Sequence, residues 1–360
     1  MNFLFIKLGH IGDTLLLTPA IRLLRRRHPE ARIDVLVRRG TEAVLAGNPD
    51  ISRVFLSTAP RGPVRVWTRT VGDTVSALVG VVGSRPDYGF DFTASRTARF
   101  WLRWAGARCR AVNDGYGHLG AQAAGYEVFS RFQWGRAHQA LKDFRLVADV
   151  LGVEEEPGPL VMEPLPPPAS LVAEIPVLQR RGGYAVIHAT SRWAYKQWLP
   201  ERWAAVADWL VEVAGLPVVF SCGPAAEEHA YVRQVLARAR RPHAVTWGRC
   251  GLREMAGVIA GARVFCGVDT VAMHIAAAVQ TPVVAVFGPS QEWSWRPWLV
   301  AHRLAASVCP CKERMVFTCD KTRPYPCIEA VPVGRVQDCV RELLALPLGA
   351  GAKPGGAAAV

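Results

Sequence analysis

Residues 266–290 read CGVDTVAMHIAAAVQTPVVAVFGPS, and this stretch decides the fold. The apolar runs at 264–266 and 283–287 flank an Ala-rich segment that ends near Val279. That is the layout of a strand, a helix and a second strand in a buried parallel sheet. In such a unit the turn after the first strand lies at the sheet's carboxyl edge. There the helix N-terminus offers free N–H groups and a partial positive charge, a site for phosphate. Asp269, Thr270 and His274 fall in that turn and in the first turn of the helix. His274 offers an anion a hydrogen-bond donor, whereas Asp269 repels phosphate and suits sugar or ribose hydroxyls. The competing reading is that Asp269 and Thr270 only cap the helix.

Outward from this unit, strands and helices alternate along most of the 360-residue, 39.3 kDa chain. Residues 2–8 read as a strand, 9–13 as a tight turn and 14–28 as an amphipathic helix. Further strands are expected at 32–37, 54–56, 88–92 and 109–112. Helices are expected from Thr41, at 67–82, 96–104 and 138–151, and an irregular loop at 113–137. The proline-dense stretch 154–169 breaks helix and strand alike. It separates an N-terminal domain, 1–153, from a C-terminal domain, 170–333. In the second domain the pattern restarts, with helices at 170–179, 200–214, 225–240 and 252–260. Strands are expected at 184–188, 217–221 and 243–246. A closing helix at 334–346 and a disordered Gly/Ala-rich tail at 347–360 complete the chain. The expected class is α/β, with two Rossmann-like, doubly wound parallel-sheet domains facing across a cleft.

The turn Gly9-His10-Ile11-Gly12-Asp13 lacks the third glycine of G-x-G-x-x-G, and an acid stands where a pyrophosphate would approach. Asp13 therefore suits proton abstraction, its competing reading being a first-turn helix acid. In the loop HATSRWAYKQW, residues 188–198, Thr190 and Ser191 can donate to phosphate oxygens, and Lys196 can place a point charge on a diphosphate. Cys309, Cys311, Cys319 and Cys327 lack paired C-x-x-C spacing. Structural zinc, free thiols and an oxidation product are the three readings of that group.

The net charge of +13 and pI near 9.7 call for an acidic partner: nucleic acid, an anionic membrane surface or a phosphorylated substrate. Nucleic acid is disfavoured, because zinc-finger spacing, basic-region heptads and RNP-type strands are all missing. No apolar run reaches the length of a bilayer span, and MNFLFIKLGHIGD lacks the layout of a signal peptide. Cysteines in apolar strand and turn contexts fit reduced thiols. A cytoplasmic protein is expected.

In this order, KLGHIGDTLLLTPAIRLL, HATSRWAYKQW, GPAAEEH and CGVDTVAMHIAAAVQTPVVAVFGPS resemble glycosyltransferase family 9, the lipopolysaccharide heptosyltransferases. The K-x-W at Lys196 and the form DTVAMH resemble its heptosyltransferase III branch; Val271 stands where the best-known members carry glycine. The resemblance implies a GT-B fold and inverting transfer of heptose from ADP-heptose to the lipopolysaccharide inner core. It implies Asp13 as catalytic base and Lys196 as the cation that neutralises the leaving diphosphate. Gly12, Thr190, Ser191, Glu227, Asp269, Thr270 and His274 are implied in binding the nucleotide sugar, Glu227 at the ribose. Arg96 and Arg99 are expected to meet the lipid A-core acceptor, with the protein peripheral at the anionic face of the inner membrane. No divalent ion or other cofactor is expected to be required. The rivals are a GT-B transferase using another nucleotide sugar, a non-catalytic nucleotide-binding protein and a Rossmann oxidoreductase.

Overall fold

The computed structural model describes residues 1–57, 80–115, 117, 119–314 and 318–345. Two compact units emerge, Met1–Glu163 and Pro164–Val360. The break falls inside the proline-rich stretch, which is tied down on both sides. Val161 N–H donates to Thr18 Oγ1 (2.9 Å) in the first unit, and Leu165 N–H donates to the Arg253 carbonyl (2.9 Å) in the second.

The first unit holds one six-stranded, all-parallel sheet in the order β3-β2-β1-β4-β5-β6. Its strands are β1 (Asn2–Lys7), β2 (Arg32–Arg38), β3 (Arg53–Ser57), β4 (Tyr88–Asp91), β5 (Cys109–Asn113) and β6 (Val128–Ser130). β1 is central because Phe3 to Ile6 are apolar on both faces, and all four are buried. The helix expected at 14–28 is two helices, α1 (Ile11–Leu16) and α2 (Thr18–Arg27). Pro19 lacks the N–H that would have bonded to the Leu15 carbonyl; Thr18 Oγ1 donates to that carbonyl instead (2.8 Å). The loop expected at 113–137 is partly ordered, with a 3₁₀ turn at Gly120–Gly125 followed by the edge strand β6. Helices α3 (Arg96–Trp104) and α4 (Gln139–Leu151) complete this unit. Of the helix expected at 67–82, only 80–82 is described, and it is helical.

The second sheet is also all parallel: β7 (Ala185–His188), β8 (Val218–Phe220), β9 (Ala244–Val245), β10 (Val264–Val268), β11 (Val283–Phe287) and β12 (His302–Ala306). Its order, β9-β8-β7-β10-β11-β12, repeats the first sheet's path, with the reversal of winding between β7 and β10 as it lies between β1 and β4. β12 was not expected, because HRLAA opens on two polar residues, His302 and Arg303, at a sheet edge. The principal helices are α5 (Pro200–Glu212), α6 (Ala226–Leu236), α7 (Leu252–Ala260), α8 (Val271–Ala278) and α9 (Val333–Leu344). The helix expected at 170–179 is a short α-turn, Ala169–Glu174, then a 3₁₀ turn, Pro176–Gln179. Trp198 and Trp203 anchor the core edge-to-face, with ring centroids 5.0 Å apart. The tail from 347 lies outside the described residues.

Candidate active site

Ligands of doubly wound sheets bind at the carboxyl edge, where the winding reverses. In the second unit that point lies between the ends of β7 and β10. After β7 a 3₁₀ turn, Ala194–Lys196, carries the lysine toward β10. Lys196 Nζ reaches Asp269 Oδ2 at 2.6 Å. Burial pushes the Asp269 carboxyl up, but the charges of Lys196 and His274 outweigh it and leave its pKa below the ordinary value. Asp269 precedes the N-cap of α8 and pairs with Lys196. Thr270 stands at the N-cap, yet its side chain makes no capping bond and its buried Oγ1 has no hydrogen-bond partner among the described residues. Thr270 therefore supplies no acceptor to the first N–H groups of α8, which Val271 opens, with His274, 3% exposed, in its first turn.

Thr190 and Ser191 separate in role. Thr190 is fully buried; its hydroxyl donates to Glu228 Oε2 (2.6 Å) and so accepts from His188 Nε2 (3.3 Å). His188 thus carries its proton on Nε2, and its Nδ1 accepts from Ser221 Oγ (2.9 Å). Burial lowers the His188 pKa to about 4 against the pull of Glu228, so the ring is neutral at pH 7. Glu228 also accepts from Gly223 N–H (2.7 Å), which ties the ends of β7 and β8 together. Ser191 Oγ accepts from Trp193 N–H (3.2 Å). Glu227 is exposed on the first turn of α6, with no partner among the described residues.

In the first unit the corresponding edge holds Asp13. Its Oδ2 accepts the His10 N–H (2.7 Å), so the first-turn role is real. Oδ1 has no partner among the described residues. A Cβ at Gly9 would stand 2.6 Å from Asp13 Oδ2, so glycine is required for this carboxylate to fold back. Gly12 lies beside it in α1, partly buried. Beneath them is a pair that sequence reading missed: Lys7 Nζ, at the end of β1, bonds both oxygens of Asp143 on α4 (2.7 and 3.0 Å). Burial pushes Asp143 up to about 6 against the pull of Lys7, and the charge of Asp13 adds to the rise. A signal was present. Asp143 stands three residues after Ala140 and one before Phe144 on the buried stripe of α4, and a charge there calls for a buried partner.

A cavity of about 120 Å³ opens at the same edge, lined among others by Asp91, Thr93, Asn113, Trp134, Gln139 and Lys142. Lys142 Nζ lies 5.3 Å from the Trp134 ring centroid, and burial lowers its pKa. Asp91 is raised by burial and accepts from Tyr126 Oη (2.5 Å). Of the two arginines expected to meet the acceptor, Arg96 is exposed at the start of α3. Arg99 turns inward and donates to the Gln122 carbonyl (3.0 Å), because the Gly120–Gly125 turn packs over it. This makes Arg99 a brace for that turn.

The cysteines at 309, 311, 319 and 327 form no disulfide among the described residues. Cys327 is raised to about 12 by burial and by the neighbouring Cys309. Among the described residues, no group of three or more His, Cys, Asp or Glu is arranged to hold a metal ion.

Two compact units, each built on a doubly wound six-stranded parallel sheet with the same strand order, are the architecture of the GT-B fold. Residues 110–323 match glycosyltransferase family 9 (heptosyltransferase), and the chain belongs to that family. It is 28% identical over 295 residues to lipopolysaccharide heptosyltransferase 3 of Escherichia coli strain K12, covering 80% of this chain and 82% of that protein. Lipopolysaccharide heptosyltransferase 1 of Pseudomonas aeruginosa is 24% identical over 318 residues, covering 81% and 79%. Among solved structures, a family 9 glycosyltransferase from Veillonella parvula superposes with TM-score 0.75 at 18% identity, over 95% of this chain and 97% of that one. E. coli heptosyltransferase WaaC with ADP gives 0.72 at 17%, over 95% and 100%.

Proposed function

We propose that this enzyme moves heptose from ADP-heptose to the inner core of lipopolysaccharide, with inversion at the anomeric carbon. The observation that carries the reading is the Lys196–Asp269 pair beneath an uncapped helix N-terminus, at the winding reversal of the second sheet. A cation balanced by a buried carboxylate is a ready exchange site. The ADP diphosphate takes Lys196 and the α8 N–H groups, with Ser191 as a further donor, and frees Asp269 to accept from sugar hydroxyls. Glu227 accepts from the ribose hydroxyls.

In the reaction the acceptor hydroxyl attacks the anomeric carbon from the face opposite the nucleotide. Asp13 takes the hydroxyl proton on Oδ1 while His10 N–H holds Oδ2 in place. The electrons of the breaking C–O bond pass to the diphosphate, and Lys196 with the helix terminus stabilises the departing ADP without a divalent ion. The cavity lined by Trp134 and Lys142 offers a ring face and a cation to an anionic acceptor sugar. Among the described residues no helix is long and apolar enough to cross a membrane. A cytoplasmic enzyme that meets its lipid-linked acceptor at the inner-membrane surface fits the net charge of +13.

The test is incubation with ADP-heptose and truncated lipid cores, with products weighed by mass spectrometry. The expected product carries one added heptose and appears with one ADP. Turnover of UDP- or GDP-sugars, with ADP-heptose inert, would move the chain to another donor. ADP-heptose binding without any product would leave a nucleotide-binding protein.

A further inference from the structure

Helix α3 has an outer face that neither its fold nor the proposed chemistry uses. Its inner face buries Ala98, Trp101 and Leu102. On the outer face Phe100 is 48% and Trp104 52% exposed, their ring centroids 5.6 Å apart. Arg96 and Arg103 are exposed beside them, and Arg108 follows just beyond the helix. Two neighbouring arginines are engaged, Arg99 on the Gln122 carbonyl and Arg110 in an exposed pair with Glu127. Arg96 and Arg103 have no carboxylate partner among the described residues. Arg108, its side chain 82% exposed, has only a 3.3 Å contact with Asp87. The helix itself, RTARFWLRW, contains no acid.

Two adjacent rings half out in water, with the exposed guanidinium groups of Arg96 and Arg103 beside them and Arg108 just beyond, form an apolar strip set in positive charge. We infer that the Phe100–Trp104 face of α3, with Arg96, Arg103 and Arg108, docks the protein on an anionic lipid bilayer. The rings enter the boundary between headgroups and acyl chains while the arginines meet lipid phosphates. Only the choice of a bilayer rests on the reading of a lipid-linked acceptor. The geometry connects the two, because Ala94 lines the cavity and Ser95 caps α3, so a docked helix holds the cavity's edge at the membrane.

The test is flotation of the full chain with vesicles rich in phosphatidylglycerol, against pure phosphatidylcholine. Wild type is expected to float with the anionic vesicles and to come off as salt is raised. Phe100→Ser with Trp104→Ser should weaken partition roughly tenfold per ring. Arg96→Gln with Arg103→Gln should weaken it about 30-fold in total. Each pair serves if the other fails to fold, and the rise in melting temperature caused by ADP checks that the donor unit is intact. Partition unchanged in both double variants would overturn the proposal. So would equal binding to phosphatidylcholine, tighter binding to single-stranded nucleic acid, or a dimer that the ring variants split into monomers. If the protein never transfers heptose but both pairs lose the vesicles, the docking face stands and the proposed reaction falls.

Discussion

The two units share one topology and place a lysine–aspartate pair at the same point of it, yet the pairs differ in kind. In the first unit Lys7 and Asp143 are each about 4% exposed, and both carboxylate oxygens are occupied by the one ammonium. In the second, Lys196 arrives from a loop, keeps 22% of its side chain exposed and bonds one oxygen of Asp269. A sealed pair is structural, because desolvation makes any exchange of partners expensive. An open pair at a helix N-terminus can exchange partners, and for that reason we propose the second unit as the one that holds the anion. In the first unit the proposed chemistry falls to Asp13, above the sealed pair.

The largest expected effect tests the Asp13 side of this contrast. Asp13→Asn keeps the bond from His10 and removes the proton acceptor, so transfer should fall by about 10²- to 10⁴-fold in an ADP-release assay. Full activity in this variant would return Asp13 to a helix-start role alone. Next in size, Lys7→Met strands the buried Asp143 carboxylate and should lower unfolding stability by roughly 3 kcal/mol in urea. Lys7→Met with Asp143→Leu should recover most of it. A single variant as stable as wild type would show that the first pair is not sealed.

Proton linkage sharpens the comparison, because the two aspartates shift in opposite directions. Asp143 is raised from 3.8 to about 6, so its contribution to stability is present below the unfolded value and is lost as pH rises through about 6. Asp269 is lowered from 3.8, so its contribution is present above that value and is lost as pH falls further. Urea midpoints of wild type against Asp143→Asn should therefore diverge between pH 4 and 6. Those against Asp269→Asn should change only below about pH 4. Parallel curves would contradict the assigned environments. Smallest is the ribose contact: Glu227→Gln should weaken ADP about tenfold by calorimetry with the melting temperature unchanged. Glu228→Gln should instead lower the melting temperature, because Glu228 holds Thr190 and Gly223 in place.

The alternation of strands and helices was legible because buried parallel strands read as uninterrupted apolar runs, as in Phe3 to Ile6 and Val283–Phe287. The strands that escaped are edge strands. Val128–Ser130 has three residues in a glycine- and aromatic-rich stretch, and His302–Ala306 begins with two polar residues, so neither carries the apolar signature. That the loop after β7 meets the turn after β10 was legible because hydroxyls, lysine and the small-residue helix crowd into two turns. What stayed hidden was depth. Nothing local tells that Thr190 faces inward to Glu228, that Arg99 braces a turn, or that Lys7 closes on Asp143 136 residues away. These follow from tertiary packing, which periodicity does not encode.

The central claim is that the two units divide the work, one taking the proton and the other holding the nucleotide. Calorimetric titration of ADP into Asp13→Asn and Lys196→Ala, side by side with wild type, tests it most directly. The account predicts wild-type affinity in Asp13→Asn and affinity at least tenfold weaker in Lys196→Ala. Loss of ADP binding in Asp13→Asn, with Lys196→Ala binding as wild type does, would contradict it.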